Sequence, residues 1–419
     1  MRYCIYEDAQ YSNFLPLTYF RSVFDLRCGA GTLFERIQHY IPSKQYHFII
    51  RPGLAPLASE DHPGVHINLA AAEDTWYING RVIASEGLAK AIRSYKSGEV
   101  VLSAGDEIVA ARIEAKTFAK AADGGESSQG ELVSLVAHME NKSINCQLAR
   151  HPWDLLNANA EEISRDFTNL SRRTRRRIAG KIYPGASLVN RKNILIGKGS
   201  VVKPGTVLDA EHGPIIIGDN VTIMPNAVIE GPACIGSGSI VKIGAKIYSG
   251  TSIGPMCKVG GEIEHSIIQS HSNKQHDGFL GHSYLGSWVN LGADTNTSDL
   301  KNTYSNIRFY INGAMIDSEQ QFLGLVMGDH SKSGINTMFD TGTNVGVSCN
   351  VYGSEIPPKF VPSFSWGGGL KYEEYDLEKS LATARLVMAR RNVSMSTAYE
   401  QLFRSVFEHT ADARRRTKS

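Results

Sequence analysis

Aliphatic residues recur at every sixth position through the middle of the chain: Ile217, Ile223, Ile229, Ile235, Val241, Ile247, Ile253 and Val259. Gly, Pro, Ser, Thr and Asn fill much of the intervals, and Gly218, Gly236 and Gly254 directly follow three of the aliphatic positions. A period of six matches neither the helical repeat nor the two-residue alternation of an ordinary strand. It matches a parallel β-helix, in which each hexapeptide forms one flat side of a coil and sends its aliphatic residue into the prism. Each enclosed residue contributes roughly 1.5–3 kcal/mol by apolar burial, so a stack of about ten makes a core without disulfides.

The pattern begins near Ile182, passes through Ile194-Leu195-Ile196-Gly197 and is interrupted by the loop Ala210-Glu211-His212-Gly213-Pro214. It lapses from Gly260 to His276 and resumes with Phe279, Leu285 and Leu291. An insertion from Asn302 to Leu323 follows, and the rhythm returns with Met327, Ser333, Phe339, Val345 and Val351. Pro357, Pro358 and Pro362 close the coil, Leu377 to His409 carries amphipathic helical spacing, and Arg414 to Lys418 reads as a frayed basic tail.

Ahead of the coil the pattern is different. Tyr3–Tyr6, Tyr46–Ile50, Thr75–Ile78 and Val100–Leu102 are short strand candidates, and Thr32–Ile37 and Gly87–Tyr95 carry helical spacing. Strands alternating with helices predict a mostly parallel sheet that binds ligands at its strand C-terminal ends. Ala121 to Gly130 is a polar, glycine-rich loop, and a helix over Asn157 to Asp166 leads into the basic run Ser171 to Arg177. The expected division is an α/β domain over residues 1–160, a basic linker helix over 161–181, a β-helix over 182–370 and a C-terminal helical segment over 371–419.

At 419 residues the chain is too long for one ordinary core. A net charge of +2 gives no global argument for nucleic acid, so the basic run reads as the solvated face of the linker helix. The N-terminus lacks a signal-peptide hydrophobic region and no apolar run is long enough for a membrane span, which predicts a cytoplasmic protein. The six cysteines are scattered without a CxxC pair, as expected of reduced structural thiols.

The densest polar stretch lies where the hexapeptide rhythm falters. It holds His265, His271, Lys274, His276, Asp277, His282, Asn290, Asp294, Asp299 and Lys301. A histidine can take a proton from an amine that attacks an acyl group, and lysines beside it can hold a phosphate. The same residues equally suit polar exposed turns. A histidine metal site is disfavoured, because no two of them show a known ligand spacing with a carboxylate.

His276-Asp277-Gly278-Phe279-Leu280-Gly281 and Val289-Asn290-Leu291-Gly292-Ala293-Asp294-Thr295 resemble, without a gap between them, the acetyltransferase half of a known family. That family is the bifunctional UDP-N-acetylglucosamine diphosphorylase/glucosamine-1-phosphate N-acetyltransferases, and the likeness is greatest to a variant bacterial branch. The resemblance implies a left-handed β-helix, a homotrimer and acetyl-CoA as co-substrate. It implies His276 as general base, Asn290 on the sugar, and the Gly292–Ala293 backbone near the acetyl thioester. Lys274, Phe279 and Lys301 would contact the substrate. Phe279 stands in place of the family's phosphate-binding tyrosine, and Glu264 in place of a lysine.

Leu15-Pro16-Leu17-Thr18, Arg21 and Asp25-Leu26-Arg27-Cys28-Gly29 resemble the same family's nucleotidyltransferase signature, with Glu7 to Asn13 in place of its glycine-rich phosphate loop. The resemblance implies an α/β nucleotidyltransferase-like (Rossmann-like) domain that takes UTP or another nucleoside triphosphate and a sugar 1-phosphate with magnesium. Arg21 is then a catalytic candidate, and Arg27 and Asn79 are binding candidates. Arg81 stands where the family has a magnesium-binding aspartate, which leaves Asp154 as the candidate metal ligand. The expected activities are acetyl transfer to glucosamine 1-phosphate and uridylyl transfer to its product. The alternatives are a nucleotidyltransferase with the coil as trimerising scaffold, and a non-catalytic sugar-nucleotide-binding protein.

Overall fold

A computed structural model describes residues 2–69, 73–117, 135–136, 139–174, 177–369 and 371–417. The glycine-rich loop at 121–130 lies outside the described residues, as do Arg175, Arg176 and Lys418. The N-terminal part is built on a seven-stranded sheet in the order Asn141–Ser143, Val100–Ala104, Glu107–Ile113, Thr75–Asn79, Arg2–Tyr6, Tyr46–Ile49 and His66–Ile67. The strand Arg2–Tyr6 runs parallel to both neighbours, pairing Tyr6 with Ile49 and with Asn79. All four expected strands form. The expected helices form at Leu33–Tyr40, opened by the reciprocal Thr32–Glu35 capping box, and at Glu86–Ser94. The strand Glu107–Ile113 was not legible in the sequence: five of its seven residues are buried, so alternation is lost, and it runs antiparallel to both neighbours.

The coil is a left-handed parallel β-helix of three sheets, and the hexapeptide series deals its members to them in turn. Ile217, Ile235 and Ile253 pair across one sheet, Ile223, Val241 and Val259 across a second, and Ile229, Ile247 and Ile263 across the third. The corners need backbone in the left-handed region, and Gly238, Gly244 and Gly250 supply it at φ of 72°, 67° and 70°. Through the apparent lapse the coil continues unbroken with shortened corners: Ile263, Ile268, Leu280 and Leu285 carry the core onward. Two expectations are corrected here. Leu280, not Phe279, points inward, and Lys274 occupies an inward place opposite Val259.

The sheet that ends with Phe360–Val361 has nine strands and carries the N-terminal part on its outer side. The expected linker helix is the second half of one helix, Pro152–Arg173, and its basic end at Arg172 and Arg173 is solvated as expected, whereas its other face is not. Its Ile163 and Phe167 are buried against Leu195, Ile216 and Cys234 of the coil. The 302–323 insertion forms the hairpin Arg308–Ile311/Ala314–Asp317 and acts as a strap. Phe309 packs edge-on against Trp153 at 5.6 Å, and Asn157 donates to Gln320 at 3.0 Å. Helices Leu377–Ala389 and Thr397–His409 pack against the N-terminal part and share its core, with Tyr399 stacked on Phe20 at 5.1 Å. The expected frayed tail is a helix, Ala411–Thr417, anchored by buried Arg414 on Glu374 at 2.9 Å. Among the described residues no helix is long and apolar enough to cross a membrane.

Candidate active sites

The C-terminal ends of the parallel strands converge at Glu7, Asp8, Arg51 and Arg81, where a doubly wound sheet places its ligand. Each carboxylate there is already met by an arginine. Buried Glu7 pairs with Arg51 at 2.6 Å and accepts the Val23 amide at 3.0 Å; burial pushes its carboxyl up against the opposing pull of Arg51. Arg81 is buried, and its guanidinium reaches Asp8 at 2.6 Å and Glu107 at 2.8 Å. Glu107 also holds Arg150 at 2.6 Å; burial would raise its carboxyl, but hydrogen bonds from Arg150 and Arg81 hold it below the usual value. Asn79 donates to Asp8 at 2.9 Å and accepts the Arg81 amide at 3.0 Å.

These residues do not fit a magnesium ion. Magnesium requires hard oxygen ligands with free lone pairs, whereas Asp8 and Glu107 are both bonded to the Arg81 guanidinium. Asp154, the expected ligand, turns its carboxylate back onto the amides of Arg150 at 2.7 Å and His151 at 2.9 Å, which makes it a cap of its own helix. Among the described residues no group of three or more His, Cys, Asp and Glu could hold a metal ion.

Arg21 and Arg27 do not meet at the strand ends. They project from the loop over Glu7 and Arg51 and grip the coil. Arg21 donates to both oxygens of Asp329, at 2.9 and 2.5 Å, and to Ser287 at 3.1 Å. Burial works against its charge, but Asp329 outweighs this and holds Arg21 above its ordinary pKa. Arg27 donates through its side chain to the Gln269 carbonyl at 3.1 Å and through its amide to the Tyr284 hydroxyl at 2.7 Å. The stretch that resembles a nucleotide-binding signature is therefore the dock between the two parts.

On the coil, His276 stands exposed at the corner between the strands Asn273–Lys274 and Phe279–Gly281. The Asp294 amide donates to the Asp277 carbonyl at 3.1 Å, so the Gly292–Ala293–Asp294 turn lies directly against the His276 turn on the next coil. Gly292 has no room for a side chain: a Cβ would lie 2.4 Å from the Gly334 carbonyl oxygen. Asn290 accepts from Asn273 at 3.3 Å, and Asn273 in turn accepts from Arg391 of the C-terminal segment at 2.7 Å. Lys274 is buried, with its ammonium on the carbonyls of His276 at 2.6 Å and Asp277 at 3.1 Å, and burial lowers its pKa to about 8. It braces the turn that presents His276 rather than reaching outward. Lys301 donates to the Asn306 carbonyl within the insertion.

The next corner beyond His276 carries a second arrangement, absent from the expected site residues. His282 Nδ1 lies 2.7 Å from Asp299 Oδ2, and its ring stacks between His265 at 4.9 Å and Phe322 at 5.0 Å. Both residues stood in the polar stretch, but seventeen positions separate them, and only the coil's turn length brings them together.

An α/β sheet docked on a left-handed hexapeptide coil defines a two-part architecture. Residues 3–175 match the family described as sugar nucleotidyl transferase. The bifunctional protein GlmU of Rippkaea orientalis is 37% identical over 106 residues, covering 25% of this chain and 22% of that protein. The GlmU of Methanococcus maripaludis is 31% identical over 199 residues, 47% of this chain and 40% of that protein. A bifunctional sugar-1-phosphate nucleotidylyltransferase/acetyltransferase of Sulfurisphaera tokodaii is 29% identical over 148 residues, 32% and 37% of the two chains. The chain is similar to GlmU proteins at modest identity, and it spans well under half the length of the relatives it matches.

Proposed function

We propose that this protein is a transferase of sugar-nucleotide biosynthesis whose β-helix moves the acetyl group of acetyl-CoA onto the amine of glucosamine 1-phosphate. The observation that carries this reading is the adjacency of an exposed imidazole turn, His276–Asp277, to the Gly292–Ala293 turn on the next coil. The amine nitrogen attacks the thioester carbonyl, the C–N bond forms, the C–S bond breaks, and an imidazole takes the amine proton. The resemblance assigns that imidazole to His276, the sugar to Asn290 and the thioester to the Gly292–Ala293 backbone. Phe279 forms an apolar wall on the outer face between the two histidine corners, and Lys301 stiffens the adjoining insertion. The protein acts in the cytoplasm as a homotrimer.

Uridylyl transfer from UTP to N-acetylglucosamine 1-phosphate is the second reading, favoured by the family match over residues 3–175. The arginine-paired carboxylates at the strand ends weigh against a metal-dependent form of it. Purified protein given acetyl-CoA and glucosamine 1-phosphate is expected to release free thiol. Given UTP and N-acetylglucosamine 1-phosphate, it tests the second reading through pyrophosphate release. Silence in both assays across a panel of sugar 1-phosphates would overturn the enzyme reading in favour of a non-catalytic sugar-nucleotide-binding protein.

A further inference from the structure

We infer that an outer face of the coil, formed by Lys258, Asn273 and Asn290 and joined there by Arg391 of the C-terminal segment, holds a phosphate group of a ligand of the acyl site. The inference rests on the acyl-transfer reading and deepens it, because the lysines expected to hold phosphate are engaged elsewhere. Lys274 binds the His276 and Asp277 carbonyls, and Lys301 binds the Asn306 carbonyl. On the neighbouring outer face Lys246 is met by Glu262 at 4.0 Å.

The coil places the face by register. Lys258 pairs with Asn273, Asn273 with Asn290 and Asn290 with Lys332, so the four stand side by side on successive coils. Their chain neighbours Val259, Lys274, Leu291 and Ser333 are buried, and strand alternation turns the four outward. Asn273 precedes His276 by three residues, and Asn290 precedes Gly292 by two. The face therefore runs into the corner where the His276 and Gly292–Ala293 turns adjoin.

Arg391 reaches this face from the turn after the helix Leu377–Ala389 and donates to Asn273 Oδ1 at 2.7 Å. Asn273 in turn donates to Asn290 Oδ1 at 3.3 Å. That is one side-chain hydrogen bond for a guanidinium with five donors, and among the described residues the rest of its fork has no partner. A planar fork held at one end presents its remaining N–H groups in the geometry that phosphate oxygens match.

The charge on this face is of one sign. Among the described residues no carboxylate pairs with Lys258, Lys332 or Arg391. Arg391 holds the Lys258 ammonium below its ordinary pKa, and burial, Lys242 and Arg390 add to the effect. Burial lowers Arg391 as well, with Arg390 adding to it, and lowers Lys332 to about 8. Cations gathered without a counter-charge repel one another, and a bound anion relieves that repulsion.

Two ligands of the acyl-transfer reaction carry phosphate: glucosamine 1-phosphate and CoA. Isothermal titration of each into the full chain separates them, with glucosamine as the phosphate-free control. Arg391→Met is expected to weaken the Kd of one of the two by about 10-fold or more, the share of hydrogen bonds to a charged group. Lys258→Met should weaken the same ligand, Arg391→Lys should fall between Arg391→Met and wild type, and glucosamine binding should not change. Weakened glucosamine 1-phosphate puts the sugar's phosphate on the face; weakened CoA puts a CoA phosphate there. In thiol release the same variants should raise KM for that substrate and leave kcat unchanged, as loss of uniform binding does. Unchanged thermal midpoints show that the variants fold, and Lys258→Met, on an outward residue of the coil, carries the test if Arg391→Met does not. Wild-type affinity for both ligands in the two methionine variants would overturn the inference; thiol release at wild-type kcat/KM would then leave the acyl-transfer reading standing without it. Arg391-dependent binding by a protein that releases no thiol would refute the acyl-transfer reading instead. A protein that binds neither ligand would overturn both.

Discussion

Replacing Arg21 with methionine removes a guanidinium that joins the α/β part to the coil and leaves its partner stranded. Arg21 meets Asp329 through two hydrogen bonds and also donates to the Leu17 carbonyl at 2.7 Å. The Asp329 side chain is 1% exposed, and without Arg21 it keeps a single close donor, the Ser287 amide at 3.1 Å. Breaking one side of a buried pair costs about 3–5 kcal/mol, because the remaining charge is neither solvated nor compensated. Arg21→Met is therefore expected to lose stability of that order in urea unfolding followed by tryptophan fluorescence. The transition to read is the one that separates the two parts, since a chain of this size need not unfold in one step. Arg21→Met/Asp329→Asn should regain part of the loss, as the orphaned charge is gone while the lost hydrogen bonds remain. A loss below about 1 kcal/mol, the level of an exposed pair, would refute the reasoning. A variant of full stability that lacked pyrophosphate release would return Arg21 to the catalytic role its sequence neighbourhood suggests.

Lys274 titrates near 8 in the fold against about 10.4 in an unfolded chain, so between those values the unfolded state holds more protons and stability rises with pH. The stability difference between wild type and Lys274→Met should shift in favour of wild type from pH 8 to pH 10, read as urea midpoints; a flat difference would contradict it. His330 is buried beside Tyr399 at 2.7 Å, and burial holds its pKa well below the ordinary value. It stays neutral in the fold while the unfolded chain protonates below about 6.5, so stability falls as pH drops through that point; His330→Gln should flatten the slope. Millimolar magnesium should leave the thermal midpoint of the wild type unchanged, because Arg81 occupies the carboxylates a metal would need. A rise of several degrees would show specific binding to the folded state.

The coil was legible because its period is enforced by contact between each hexapeptide and the one stacked on it. Most inward places take an aliphatic residue, and glycine or asparagine turns the corner most cheaply, so the constraint is written at about every sixth residue. The strands at residues 3–6, 46–50 and 75–78 were legible for a similar local reason, as short apolar runs between turn residues. Phe279 was misread because a shortened corner moves the inward place by one residue, and a fixed period cannot register that shift. Lys274 at an inward place went unread for another reason: its fitness depends on carbonyls that the surrounding turns supply.

By itself the sequence determined the β-helix, the α/β part ahead of it, and the polar stretch in which the chemistry is proposed. Only the tertiary structure decided what the charged residues do. Arg21 and Arg27 sit in a motif-like stretch, yet their partners Asp329 and Gln269 are more than two hundred residues away. Asp8 and Arg81 look like a lost phosphate loop and a lost metal ligand until the strand ends bring them within 2.6 Å. His282 and Asp299 become a pair only because one turn of the coil returns the chain to the same corner. Apolar burial repeats at short sequence spacing and leaves a pattern, whereas an ion pair needs one partner from anywhere in the chain and leaves none.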